Sequence, residues 1–467
     1  MLIHADDNAS SSSAVTTPTP TTTPTPTPTT TPSPYLHWLR DMRPEDRGVY
    51  LIQLLNRCAR DVSLGALDGA NACLDCISLL ASPDGDAIQR VSSYFTQALA
   101  SRVLRRSFPG VFRALTHSSS ATSPTAAESL LVRRHYFDLC PFLKLSFLAA
   151  NQSILDAMEG ERVVHAIDLH PTEPAQWVAL MQALAARAEG PPHLRVTAVH
   201  DNRDLLENFA ARLTEEAEKL DVPFQFHPVV SRIEDLDIER DLRVKTGEAV
   251  AVVSILQLHA LLSDAKQTSP PAKTQFESCL QSGQGTLGEL MEKDYFMTQT
   301  PVSTIPASAR LERFLGSLWR LSPKVVVVVE QESNHNAPTL GERFNEALNY
   351  YAALFDCLES TAGRGSVERA RVEKMMLGEE IKDIIACEGL ERRERHERVE
   401  RWAQRMDRAG FGRVPMGYFG LVQARRLLQS CGGCEGYNVR EENGWLFLCW
   451  QERDLFSVSS WKCRRYE

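Results

Sequence analysis

The chain has 467 residues, of which 24 % are charged and 43 % hydrophobic, so it can bury a sizeable core as one large α/β domain or as two to three ordinary ones. Its formal net charge of −9 repels DNA in bulk, which makes nucleic-acid binding by a broad basic face an unfavoured function. Eleven cysteines, an odd number scattered singly, read as reduced thiols of an intracellular protein and not as a disulfide framework.

The first residues, MLIHADDNAS, lack the apolar stretch of a signal peptide and carry two aspartates. Residues 1–34 are expected to be a disordered tail, because TTPTPTTTPTPTPTTTPSP offers almost nothing to a core and favours an extended backbone. From 35 to about 160 the pattern is helical. Leu51, Leu54, Leu55, Cys58 and Val62 recur at spacings of three and four, and Ala70, Cys73, Leu74, Ile77 and Leu80 continue in the same way. A turn at SPDGD precedes a helix whose Val91, Phe95, Ala98 and Leu99 share a face, and Pro141 breaks a later helical run.

From 161 onward strand-like and helical stretches alternate. VVHAIDL, LRVTAVH, PFQFHPVV, AVAVVSILQL and KVVVVVEQE are separated by amphipathic segments, which predicts a parallel sheet covered on both faces. Residues 263–308 carry little periodicity and read as an inserted loop. Near the end, Asn443-Gly444 between two strand-like runs signals a type I′ hairpin. The expected fold class is therefore a doubly wound, methyltransferase-like Rossmann-type sheet with a C-terminal antiparallel hairpin and an N-terminal helical cap. No stretch is apolar for long enough to cross a bilayer.

The first strand and turn, VVHAIDLHPTEPAQW (163–177), test that class for cofactor chemistry. A dinucleotide turn needs glycines so that backbone amides can approach the ligand. This turn has two prolines and no glycine. Asp201, after the second strand, stands where an acidic residue could meet a ribose, but it lacks the glycine turn that such a site requires. His165 and Asp168 are expected to be strand-end polar residues bonded to neighbouring backbone. No cofactor, metal or catalytic residue is assigned. His200, Asp201 and His259 could converge at the sheet's carboxyl edge, although separate edge or surface histidines are the favoured reading. Cys431 and Cys434 in CGGCEG have the spacing of half a zinc site with no second pair to complete it.

Two further stretches are contact candidates. Leu51, Leu54 and Leu55 fit LxxLL, a helical docking signature, although core packing explains them as well. CEGLERRERHERVERW (387–402) sets Arg392, Arg393, Arg395, Arg398 and Arg401 against Glu391, Glu394, Glu397 and Glu400, and is expected to be a charged, solvated helix face or a contact helix for a partner.

Taken in order, these blocks resemble the GRAS family of plants. Val164, His165, Ala166, Ile167 and Asp168 resemble its VHIID signature, with Ala166 in place of the second-last Ile. Leucine-rich stretches flank the signature. RFNEALNYYAALFDCLES resembles the PFYRE region, and WLFLCWQERDLFSVSSWKC resembles the terminal SAW motif through Trp445, Trp450, Ser459, Ser460 and Trp461, with Ser460 in place of Ala. The resemblance covers about 35–467. It implies a GRAS domain with a helical cap at 35–160 and an α/β core at 161–467. It also implies a nuclear transcriptional coregulator and not an enzyme. The implied partners are DELLA proteins, other GRAS proteins as homo- or hetero-dimers, and INDETERMINATE-domain zinc-finger factors that make DNA contact indirect. A closer likeness to one branch implies action in gibberellin signalling and root patterning, opposing DELLA repression. The alternative is a methyltransferase-fold protein that binds S-adenosylmethionine or another small molecule.

Overall fold

The leucine stripe at 51–62 becomes the buried face of helix α1 (Pro44–Leu64), which Pro44 opens and Gly65, at φ 74°, closes. Helices α2 (Leu67–Leu80), α3 (Ala87–Ser107), α4 (Pro109–Ser119), α5 (Ala126–Leu139) and α6 (Pro141–Ala157) follow. Asp86 and Gln89 form a capping box at the start of α3, and Thr125 and Glu128 form one at α5. The α5–α6 break falls at Pro141, as the sequence predicts. The structure is a computed structural model that describes residues 42–119, 125–171, 173–263, 308–430 and 435–464. The Thr/Pro tail, nearly all of the 263–308 insert, Thr172 and the Cys431/Cys434 pair lie outside the described residues.

The α/β alternation then begins with β1 (Val163–Asp168), α7 (Ala175–Ala185), β2 (His193–His200), α8 (Arg203–Lys219), β3 (Phe224–Val230) and β4 (Ala249–Ile255). After α9 (Ala309–Arg320) and β5 (Val325–Gln331) comes a second helical stretch. It consists of α10 (Leu340–Thr361), α11 (Val367–Val372), a π turn at Glu373–Leu377, α12 (Gly378–Ala386) and α13 (Val399–Arg408). The chain ends with β6 (Phe411–Val414), α14 (Tyr418–Ser430), β7 (Tyr437–Glu442), β8 (Trp445–Trp450) and β9 (Arg453–Cys463).

Among the described residues the strands form one nine-stranded sheet, ordered β3-β2-β1-β4-β5-β9-β8-β7 with β6 paired to β9. Strands β1 to β5 are parallel, and β9 joins β5 antiparallel with Val326 opposite Trp461. This is the Rossmann-type α/β sheet with antiparallel C-terminal strands that the sequence predicts. The β7–β8 hairpin turns through Asn443 and Gly444, both at positive φ (53° and 80°), as a type I′ turn requires. On one face, Ile167, Val250, Val252, Val326 and Val328 pack against Leu311, Leu315 and Leu318 of α9 and Trp402 and Met406 of α13. Helix α6 packs on β4, β5 and β9 and beside α7 and α14.

Chain order does not divide the helices by layer. Helix α3 packs against α10 and α12, which lie more than 200 residues further along. Buried Arg90 of α3 holds the π turn and α10, with Nε 2.9 Å from Glu373 Oε2 and Nη1 2.9 Å from Glu359 Oε2. A pair so far from water is held by geometry, and removing one partner of such a pair typically costs about 3–5 kcal/mol.

Candidate functional site

The C-terminal ends of β1, β2, β4 and β5 surround a cavity of about 370 Å³, roofed by Arg133 and Tyr136 of α5 and by Met375 and Met376 of the π turn. This edge is where doubly wound sheets bind ligands, because strand ends and helix starts leave a crevice there. Its two halves differ in chemistry.

On the β1–β2 side the turn is filled by its own side chains. Asp168, buried at the strand end, accepts the His170 N–H at 3.0 Å through Oδ1 and the Trp177 indole N–H at 2.8 Å through Oδ2. One carboxylate thereby fixes both the turn and the first turns of α7. Burial pushes its pKa up to about 6, against the pull of those two donors. The His170 ring stacks on His200 with centroids 4.7 Å apart. Arg133 Nη1 lies 2.8 Å from His170 Nε2 and 3.3 Å from His200 Nε2. Burial, then the Arg133 charge, lowers the His200 pKa to about 4 and holds its ring neutral. Asp201 Oδ1 sits 3.1 Å from His200 Nδ1, with its side chain largely in solvent.

On the β4–β5 side the groups are acidic and imidazole. His259 follows β4 in a 3₁₀ turn (Leu258–Leu262), with Nδ1 2.8 Å from Glu330 Oε2 and Nε2 3.1 Å from Glu394 Oε2. Burial alone would lower the His259 pKa, but the two carboxylates outweigh it and raise the pKa well above 6.5. His396 Nε2 lies 3.3 Å from the same Glu394 oxygen, and the His259 and His396 rings are 4.1 Å apart. His200, Asp201 and His259 thus all reach one edge, as the sequence allowed, and His200 and His259 are buried there and not scattered on the surface.

The segment that supplies Glu394 and His396 corrects an expectation. Residues 392–398 are not helical, and α13 starts only at Val399. Arg392 and Arg395, expected on a solvated face, are buried. Arg392 Nη1 donates to His335 O at 2.7 Å, and Arg395 donates to Arg392 O, Gly389 O and Asn336 Oδ1 at 2.8–3.1 Å. Arg393 pairs with Glu234 at 2.6 Å, Arg398 with Glu346 at 2.9 Å, and Glu397 with Arg405 at 2.7 Å. Spacings of three and four predicted ion pairs within one helix. Arg393, Arg398 and Glu397 instead pair with Glu234, Glu346 and Arg405 outside that stretch.

The remaining motif residues sit inside the fold. Leu51, Leu54 and Leu55 are buried in α1, which leaves no docking face at those positions. His165 is fully buried between Glu248 Oε2 at 2.9 Å and Thr197 Oγ1 at 2.8 Å, and burial lowers its pKa to about 4. Val164, Ala166 and Ile167 are equally buried, Ala166 lying between Val196 and Ala251. Trp445 stacks under Arg413, the Trp450 indole donates to Asp356 at 2.8 Å, and Trp461 donates to Ser459 at 3.0 Å. Ser459 Oγ bonds Val328 O and Ser460 Oγ bonds Ser153 Oγ, so the terminal motif ties β9 to β5 and α6.

The sheet is that of a Rossmann-like α/β protein, with its β1 turn closed by side chains. Residues 51–462 match the model of the GRAS domain family, and the chain belongs to that family. It is 51 % identical over 447 residues to Scarecrow-like protein 3 of Arabidopsis thaliana, covering 92 % of each chain. It is 44 % identical to GRAS family protein TF80 of Medicago truncatula, over 92 % of this chain and 99 % of the relative. DELLA protein RGL3 of Arabidopsis thaliana is 35 % identical over 90 % of this chain and 70 % of its own. The crystal structure of SCL7 from Oryza sativa matches with a TM-score of 0.70 at 30 % identity, covering 88 % of this chain and 99 % of that one.

Proposed function

We propose that this protein is a nuclear transcriptional coregulator that works through protein contacts and not by catalysis. The carrying observation is its likeness along nearly its whole length to Scarecrow-like and DELLA proteins. Its field of action is gibberellin signalling and root patterning, in opposition to DELLA repression. Its partners are DELLA proteins, other GRAS proteins including a second copy of this chain, and INDETERMINATE-domain zinc-finger factors through which it reaches DNA. In this reading residues 35–160 serve as the cap with the first leucine-rich region, and 161–467 as the core with the VHIID, second leucine-rich, PFYRE and SAW regions. The apolar side chains of Leu64, Leu67, Leu79, Phe108 and Val111, exposed on α1 to α4, supply contact area that the buried LxxLL leucines cannot.

The test is affinity purification from plant nuclei with wild type and a Leu64→Asp/Phe108→Asp variant. Unchanged melting with loss of DELLA or zinc-finger partners supports the reading, and absence of the wild-type protein from nuclei would end it. The cavity at the carboxyl edge favours one second reading, a small-molecule-binding protein on the same frame. Calorimetry with S-adenosylmethionine and with gibberellin tests it, and flat titrations at millimolar ligand would reject it.

A further inference from the structure

Three groups on the β4–β5 side of the cavity converge on one point. His259, Glu394 and His396 each offer one ligand atom, and these atoms all lie within 4.8 Å of one another. Two of the three separations, 3.1 and 3.3 Å, match the edge of a tetrahedron around an ion about 2.0 Å from each ligand. The outer contact of His259, a carboxylate on its second ring nitrogen, has the form that metal-binding histidines use, whereas that of His396 is a second imidazole. His259 Nδ1 faces the Glu330 carboxylate at 2.8 Å, and His396 Nδ1 faces His335 Nδ1 at 3.0 Å. His396 is 1 % exposed, and its Nε2 makes no hydrogen bond among the described residues. Glu394 and His396 reach this point from the non-helical segment 392–398, two residues apart in the chain.

We propose that His259, Glu394 and His396 form a binding site for a divalent transition-metal ion of the Zn²⁺ class. Two imidazoles with one carboxylate favour such an ion over Mg²⁺ or Ca²⁺, which take oxygen ligands. Glu330, Glu380 and Glu394 gather at this end of the site, with His259 and Arg393 as the nearby groups that can carry positive charge. All three residues line the cavity. Occupancy staples the 389–398 segment to the edge of β4, so the metal acts on fold stability without any reaction.

Zinc titration of the reduced full-length protein, followed by X-ray absorption at the zinc edge, tests the proposal. One zinc per chain is expected, with a raised melting temperature and nitrogen and oxygen scattering at about 2.0–2.1 Å. Glu394→Gln and His396→Gln, each confirmed folded by its melting curve, are expected to weaken zinc affinity roughly tenfold or more. A sulfur shell at about 2.3 Å would overturn the proposal by placing the metal on cysteines. So would an affinity unchanged in both variants, or no saturable uptake at millimolar zinc, and the cluster would then be a proton-bridged ion-pair network only. The absorption spectrum of wild type decides the ligand set even if both variants fail to fold.

Discussion

Helix α1 and the segment from Gly389 to Arg398 look alike by spacing and differ in what they become. In α1 the apolar residues at 51, 54, 55, 58 and 62 form one stripe, and a helix buries that stripe. In 389–398 the charges also recur at spacings of three and four, yet the backbone makes a single 3₁₀ turn and is then without regular structure until α13. Apolar burial is non-directional, so periodicity alone decides which face goes inside. Ion pairing is directional and does not require both partners to lie on one helix. A run of charges therefore says that partners exist, not where they are.

The contrast can be broken or sharpened by four substitutions. The largest effect is expected from Glu397→Ala, which removes the carboxylate that Arg405 Nε meets at 2.7 Å and Asn336 Nδ2 meets at 2.8 Å. Loss of one side of a buried pair should cost about 3–5 kcal/mol in chemical denaturation. A loss below about 0.5 kcal/mol would instead fit the exposed helical pair that the spacing suggested. Leu55→Ala comes next, at about 3 kcal/mol for a fully buried leucine. A normal melting curve with lost partner binding would return Leu55 to the docking reading.

Asp168→Ala ranks third, at about 2 kcal/mol, because the Trp177 indole N–H and the His170 amide lose their acceptors. Its pH dependence has a definite sign. The folded chain holds the Asp168 proton more tightly than the unfolded chain, with a pKa near 6 against 3.8. The stability this adds is complete below 3.8 and is lost as pH rises through about 6. The penalty of Asp168→Ala should thus grow as pH falls from 7 to 4, and melting curves that keep a constant gap would refute the assignment. Smallest is Arg398→Ala, whose pair with Glu346 is half exposed, with an expected loss under about 1 kcal/mol that added salt reduces further.

Much of the frame was legible in advance because it rests on apolar pattern. The valine run at 325–329 reads as a strand buried on both faces, and Asn443-Gly444 reads as a two-residue hairpin. Both hold in the structure. The cavity chemistry was only half legible. The missing glycines in the β1 turn were plain, but that Asp168 would reach Trp177 was not, since an indole nine residues away is found only once α7 has docked. Glu394 and His396 carried no motif, because their partner His259 lies more than 130 residues earlier. Helices α10 and α12 gave strong helical signals but none saying that they would pack on α3.

What the sequence determined by itself is the set of elements and the buried side of each one, because apolar area leaves water by a rule that reads along the chain. What only the tertiary structure decided is where the charges and rings meet. The pairs Arg90–Glu373 and His259–Glu394 exist because distant segments were brought within about 3 Å. A hydrogen bond forms only at such contact distances, and although charges act over a longer range, no local spacing encodes which distant segments will meet.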